Sequence, residues 1–178
     1  LETIAIIIFS VVDSVVLALP LGILAAKSDR FDAVMRPILD AMQTMPSYVY
    51  LVPGILFFGL GYTPAVLATV IYAVPPTIRL TNLGIRQVPA ETVEAARSFG
   101  TTPVQLLSKV QIPLALPTIM AGVNQTTMLA LSMVVIASLV GASGLGEDVF
   151  RALQRQDPGN SVIAGLSIVL IAIVIDRL

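Results

Sequence analysis

The stretch at about residues 3–26 constrains the fold more than any other feature, because Asp13 is its one ionisable side chain. An α-helix rises about 1.5 Å per residue and a bilayer's hydrocarbon core is about 30 Å thick, so roughly 20 mostly apolar residues cross it. Four more stretches approach that length, at about residues 38–60, 64–80, 114–140 and 161–175. The second is the least regular, with Asp40 and Gln43 near its start and Pro46 and Pro53 inside it, and the third carries Pro75 and Pro76 near its end. Of the 178 residues, 56% are hydrophobic and 12% are charged, whereas a soluble domain carries about 25% charged residues. The mean hydropathy of +0.93 agrees. The expected fold is all-α: a single polytopic membrane domain over residues 1–178, with about five transmembrane helices and the lipid bilayer as solvent.

The same composition narrows the partners. A formal net charge of -1 argues against nucleic acid, and with no Cys and no His the chain has no disulfide and no soft-metal ligand, so neither a metal nor a cofactor is expected. A start at Leu1 and an apolar run towards Leu178 read as a domain cut from a longer polypeptide, and no cleavable signal peptide is recognisable.

Orientation follows from the basic residues, which are retained on the cytoplasmic side of short loops. With five spans, Lys27, Arg30, Arg36, Arg79, Arg86, Arg97, Lys109 and Arg177 fall on one side, leaving only Arg151 and Arg155 of the 10 on the other. The N-terminus is therefore expected outside and the C-terminus inside.

A cytoplasmic loop at about residues 81–113 separates the third and fourth spans and is long enough to suggest a function of its own. Pro89 stands at an expected first helical turn, Glu91 and Glu94 follow where a helix N-terminus favours acids, and Gly100 supplies a stop. Thr102, Pro103 and Gln105 then form a second start with a capping box. Two short helices hinged at Gly100 are expected, with Val93, Phe99, Val104 and Leu107 exposed. That much apolar surface calls for a protein cover.

Glu94-Ala95-Ala96, Gly100 and then Val110-Gln111-Ile112-Pro113 resemble the EAA loop of the permease subunits of binding-protein-dependent ABC importers. Val110 and Ile112 stand where that family usually has Ile and Leu, both conservative differences. Other stretches resemble the glycine betaine, proline betaine and choline subfamily, among them Asp40 to Pro46, Tyr50 to Pro53, Pro117 to Thr126, Leu129 to Ser138 and Gly144 to Glu147. The resemblance covers nearly the whole chain. It implies a type I-like permease in the cell membrane of a prokaryote, working as a homodimer. Cytoplasmic ATP-binding subunits would grip Glu94, Ala95, Ala96 and Gly100. It also implies a substrate-binding protein or fused binding domain, since a choline-like cation is recognised by an aromatic cage and this chain has no Trp and only scattered Tyr and Phe.

Polar residues at membrane depth are candidates for function. Gln43, Asn124 and Gln125 either line a translocation path or, for the last two, hydrogen-bond neighbouring helices. Asp13 either faces such a path or is protonated or paired within the bundle. The prolines of the second and third spans either break helices around a cavity or merely kink them. No G-x-x-x-x-G-K-[ST] stretch and no nucleophile–base pair occurs, so the chain is read as a permease and not an enzyme. An importer for another small solute remains the alternative. A secondary transporter would show an internal repeat, and none is visible.

Overall fold

The computed structural model describes residues 2–138, 141 and 143–176, and among them every regular element is helical. Helix α1 (Glu2–Lys27) gives way after Ser28 to α2 (Asp29–Thr44), whose first turn is capped by Ser28 Oγ accepting the Phe31 N–H at 3.3 Å. A 3₁₀ turn (Ser47–Tyr50) leads into α3 (Leu51–Phe58), and α4 (Tyr62–Arg86) follows. Beyond it lie α5 (Ala90–Ser98), α6 (Pro103–Leu106), a π-helical turn (Leu107–Gln111) and α7 (Ile112–Ser138), the last three forming one continuous rod. The chain ends with α8 (Leu145–Gln154) and α9 (Pro158–Asp176).

Three stretches are long and apolar enough to cross a bilayer, Thr3–Lys27, Tyr62–Arg86 and Pro103–Met133. They form the frame of the bundle. In lipid no hydrophobic force drives helices together, so close approach rests on small residues and a few hydrogen bonds. Gly22 of α1 lies against Ile78 and Thr81 of α4, while Gly84 of α4 meets Ala115 and Thr118 of α7. Gly122 of α7 in turn abuts Thr77 and Leu80. These pairings make α1 parallel and α7 antiparallel to α4. At the centre Thr77 Oγ1 pairs with Thr126 Oγ1 at 2.8 Å, and Thr126 donates to the Ala73 carbonyl at 2.7 Å.

The expected spans need four adjustments. The second is a broken crossing: α2 starts back at Asp29 and stops at Thr44, because Met45 precedes Pro46 and is held extended at φ -72°, ψ 134°. The third does not end near Leu80 but continues to Arg86, straight through the buried Pro75 and Pro76. There Thr126 donates to the Ala73 carbonyl from the neighbouring α7. The fourth begins inside the loop, at Pro103. The fifth, α9, pairs first with α8 in an antiparallel hairpin that sequence reading left as a loop. Leu145 and Asp148 face Ile163, Ala164 and Ser167 across it. Leu145 N–H donates to Thr3 Oγ1 at 2.9 Å, fixing this hairpin at the N-terminal end of α1. Only the later part of α9, with Ile171 and Ala172, reaches Ile7 and Leu131.

Helix α2 packs its apolar edge, Met35, Leu39 and Met42, against Ala18 and Leu21 of α1 and Val70, Val74 and Ile78 of α4. Its path therefore runs from the basic end of the bundle back towards the middle.

Candidate functional site

The break after Thr44 leaves Gln43 in the last turn of α2, beside the middle of α7. There Gln43, Pro76, Ala121, Asn124, Gln125, Met128 and Leu129 line an open cavity of about 560 Å³. The α7 contributors recur at helical spacing and so form one stripe. The structure thus brings Gln43, Asn124 and Gln125 to one place. All three are exposed, and none has a hydrogen-bond partner among the described residues. Several hydroxyls of the frame behave differently: Ser14, Thr69, Thr127 and Ser132 each donate to the carbonyl four residues back, whereas Ser10 and Thr81 are buried without a partner among the described residues. Pro46 marks a helix break beside the cavity, whereas Pro75 and Pro76 lie within an unbroken helix.

Asp13 and Asp40 lie elsewhere. Asp13 is exposed in a groove of about 430 Å³ with Ala5, Ile6, Phe9, Tyr62 and Val66, and has no partner among the described residues. Asp40 accepts a hydrogen bond from Arg79.

The second candidate region is the loop. Helix α5 starts with Pro89 as its N-cap at ψ 133°, one position earlier than the first helical turn expected for it. It ends in a Schellman motif: Gly100 N–H donates to the Arg97 carbonyl at 2.9 Å and Thr101 N–H to that of Ala96 at 3.4 Å. Gly100 has φ +76°, the left-handed region that glycine adopts without a Cβ clash. The capping box is present in full, with Thr102 Oγ1 accepting the Gln105 N–H at 3.3 Å and Gln105 Oε1 accepting the Thr102 N–H at 3.0 Å.

Glu94, Ala95 and Gly100 are exposed and Ala96 is half-buried. Phe99 is 90% exposed and Val104 71%, an apolar tip with nothing of this chain to cover it. Leu107 departs from expectation, because the π turn rotates it inward against Ile85, Ala115 and Ile119. Val93 is half-buried.

At the end of the bundle nearest this loop, two acids of α2 meet two arginines. Asp32, 6% exposed, accepts from Arg36 at 2.6 Å and from Asn82 at 2.7 Å. Arg86 reaches Asp29 at 2.6 Å, the Ala25 carbonyl at 2.7 Å and Asn82 Oδ1 at 2.8 Å. The Asp32 hydrogen bond and charge raise the Arg36 pKa above its ordinary value. In the α8–α9 turn, the Asn160 backbone N–H and side-chain amide hold the Asp157 carboxyl below its ordinary range. Sequence reading missed the buried acid, the asparagine and the arginine as a group, because Asp32 lies 50 residues from Asn82 and Asp29 lies 57 from Arg86 along the chain.

Long apolar helices packed through small residues, a cavity lined by unpaired amides and an exposed helical loop at one end define a multi-pass inner-membrane transport component. The family of inner membrane components of binding-protein-dependent transport systems matches residues 18–178, and the chain belongs to it.

Among its relatives, the glycine betaine/carnitine transport permease protein GbuB of Listeria monocytogenes serotype 1/2a (strain 10403S) is 55% identical over 177 residues, 99% of this chain and 63% of that protein. The glycine betaine/proline betaine transport system permease protein ProW of Escherichia coli (strain K12) is 56% identical over 176 residues, 99% of this chain and 50% of its own length. The chain thus spans between half and two thirds of these relatives. In fold it is similar to a chain of the MetNI methionine ABC transporter in an inward-facing conformation. The TM-score is 0.89 at 22% identity, over 99% of this chain and 88% of that one.

Proposed function

We propose that the chain is the transmembrane permease subunit of an ATP-driven importer that carries a quaternary-ammonium compatible solute, such as glycine betaine, proline betaine or choline, into the cytoplasm. The observation that carries this reading is the identity of 55% and 56%, over 99% of the chain, with permeases named for glycine betaine transport. The cavity chemistry is compatible with it. Each amide of Gln43, Asn124 and Gln125 offers a carbonyl oxygen to a cation and N–H donors to a carboxylate, without the fixed charge that would trap a zwitterion in transit.

High-affinity selection then belongs to a binding protein or fused binding domain with its own aromatic cage. Two copies of the permease form the path, each contributing one half-open cavity. Two cytoplasmic ATP-binding subunits dock on Glu94, Ala95, Ala96 and Gly100, covering Phe99 and Val104, and ATP hydrolysis takes place in those subunits. The loop end of the bundle is cytoplasmic in this arrangement and the α8–α9 hairpin lies outside, which accords with the clustering of basic residues. Residues 81–113 act as the coupling loop.

The test is uptake of radiolabelled glycine betaine into vesicles holding the full-length permease with its ATPase and binding protein, with and without internal ATP. ATP-dependent accumulation supports importer and substrate class together. ATPase association without betaine uptake discards the substrate and keeps the importer for another small solute.

A further inference from the structure

We infer that Asp32, Asn82 and Arg86 are positioning residues that tie the coupling loop mechanically to the helix bearing Gln43. The inference rests on the permease reading above and adds to it the route by which a movement of the loop reaches the path.

Arg86 is the last residue of α4, and only Gln87, Val88 and Pro89 separate it from α5. Pro89 keeps Val88 out of the helical region, so this link is stiff and short. A displacement of α5 therefore acts directly on the end of α4. Arg86 there holds three elements at once: the α1 backbone at Ala25, α2 at Asp29, and Asn82 on its own helix. Asn82 passes the connection on by donating to Asp32 Oδ1, whose second oxygen is taken by Arg36. Asp32 is almost fully buried and its geometry is fixed by several partners, although its ion-pair partner Arg36 stays largely exposed.

From Asp32 to Gln43 runs an unbroken helix, about 16 Å at 1.5 Å per residue. At its far end the helix stops at Met45 and Pro46, immediately beyond the cavity, and the Tyr50 hydroxyl donates to the Met42 carbonyl across the break. One end of α2 is thus clamped to the root of the coupling loop, and the other presents a cavity residue next to a helix break, so a shift of the clamped end is carried along the rigid helix to Gln43. Arg79 with Asp40 forms a second, more exposed tie between the same helices.

The experiment uses the full-length permease with its ATPase and binding protein in proteoliposomes, measuring solute taken up per ATP hydrolysed. Asp32→Asn is near-isosteric, and Arg86→Lys keeps the charge and the apolar stem while losing the fork that reaches Asn82, Asp29 and Ala25 together. Each is expected to leave ATP hydrolysis in place while the uptake-to-hydrolysis ratio falls by about fivefold or more, the scale of a typical coupling free energy. Asp32→Asn combined with Asn82→Asp exchanges the two partners and is expected to recover the ratio. A purely structural role would lower membrane abundance, uptake and hydrolysis together and leave the ratio alone; that result, or a ratio not recovered by the exchange, overturns the inference. A wild-type protein without ATP-dependent uptake would instead count against the permease reading, so the two failures are separable.

Discussion

Substituting Gly22 by alanine should drive α1 and α4 apart, and the structure says by how much it hurts. A Cβ at this position would stand 2.6 Å from Thr81 Cβ and 2.9 Å from both the Ile78 carbonyl oxygen and Thr81 Cγ2. Two of those three atoms are backbone or directly attached to it, so neither can rotate away. Overpacking of this kind costs about 1–3 kcal/mol, against which alanine gains up to about 1 kcal/mol over glycine in helix propensity. The net expectation is a loss of about 1–2 kcal/mol. Retreat of α1 also breaks the Ser14 contact to the Val70 carbonyl, already long at 3.4 Å.

The assay is thermal unfolding of the purified full-length permease in detergent. Gly165→Ala serves as control, since nothing lies within 4 Å of its added Cβ and propensity alone should raise stability. Adding Thr81→Gly to Gly22→Ala removes the facing Cβ, so the pair should be less destabilised than the sum of the single changes. Strict additivity, or a Gly22→Ala protein as stable as the parent, would refute the packing account.

Three further outcomes are expected. Glu94→Arg and Gly100→Pro should abolish ATP-driven uptake while the permease still reaches the membrane in normal amount, because one reverses the exposed charge of α5 and the other destroys its Schellman end; unchanged uptake would sink the coupling assignment. Asn124→Leu and Gln125→Leu should insert normally, since each replaces an unsatisfied amide by an apolar group, yet cut transport; full transport by the double variant would remove both residues from the path. Asp157 sets a pH dependence for the α8–α9 hairpin. Its folded pKa lies below the ordinary 3.8, so its contribution is complete above that value and disappears as pH falls through the lowered one. Hydrogen exchange at Asn160 should be equally protected, after correction for intrinsic rates, from pH 8 down to about 5 and lose protection only in stronger acid.

Legibility differed between elements for physical reasons. Hydropathy and length located α1, α4 and α7, because lipid demands uninterrupted apolar helix over a fixed thickness. Local chemistry located the loop: Gly100, Thr102 and Gln105 act within a few residues of themselves, and all three occupy the positions that their side chains dictate. Leu107 was misjudged because its orientation depends on a π turn, a backbone irregularity with no residue code of its own. Helix α8 was missed although Glu147 and Asp148 open it and Arg151 closes it, the charge order that suits a helix dipole. Its exposed apolar and charged faces were overshadowed by the search for spans. Pro75 and Pro76 looked like an end because proline removes a donor, whereas α4 runs on through them, packed against α7 with Thr126 bonded to Thr77 and Ala73, contacts 49 and 53 residues away along the chain.

The contrast between paired and unpaired polar groups gives the strongest physical ground for a wet path at Gln43, Asn124 and Gln125. Inside hydrocarbon a polar side chain without a partner costs several kcal/mol, so membrane bundles satisfy such groups internally. This one does so often, although Ser10 and Thr81 stay unpaired among the described residues: Thr126 bridges two helices, and Ser14, Thr69, Thr127 and Ser132 fold back on their own backbones. Asn and Gln have more donors and acceptors than Ser or Thr and are harder to satisfy by back-bonding. Three of them left open around one cavity, where α2 ends in mid-crossing, need water, a solute or a protein partner to meet them. The prediction is that a thiol-reactive probe too polar to cross lipid labels Gln43→Cys and Asn124→Cys in membranes of the full-length permease. Sites facing lipid, such as Val16→Cys, should stay unlabelled; residues 1–178 carry no native cysteine, and the full-length parent without an added cysteine sets the background. Equal silence at all three positions would mean that the amides are covered by protein and that the path lies elsewhere.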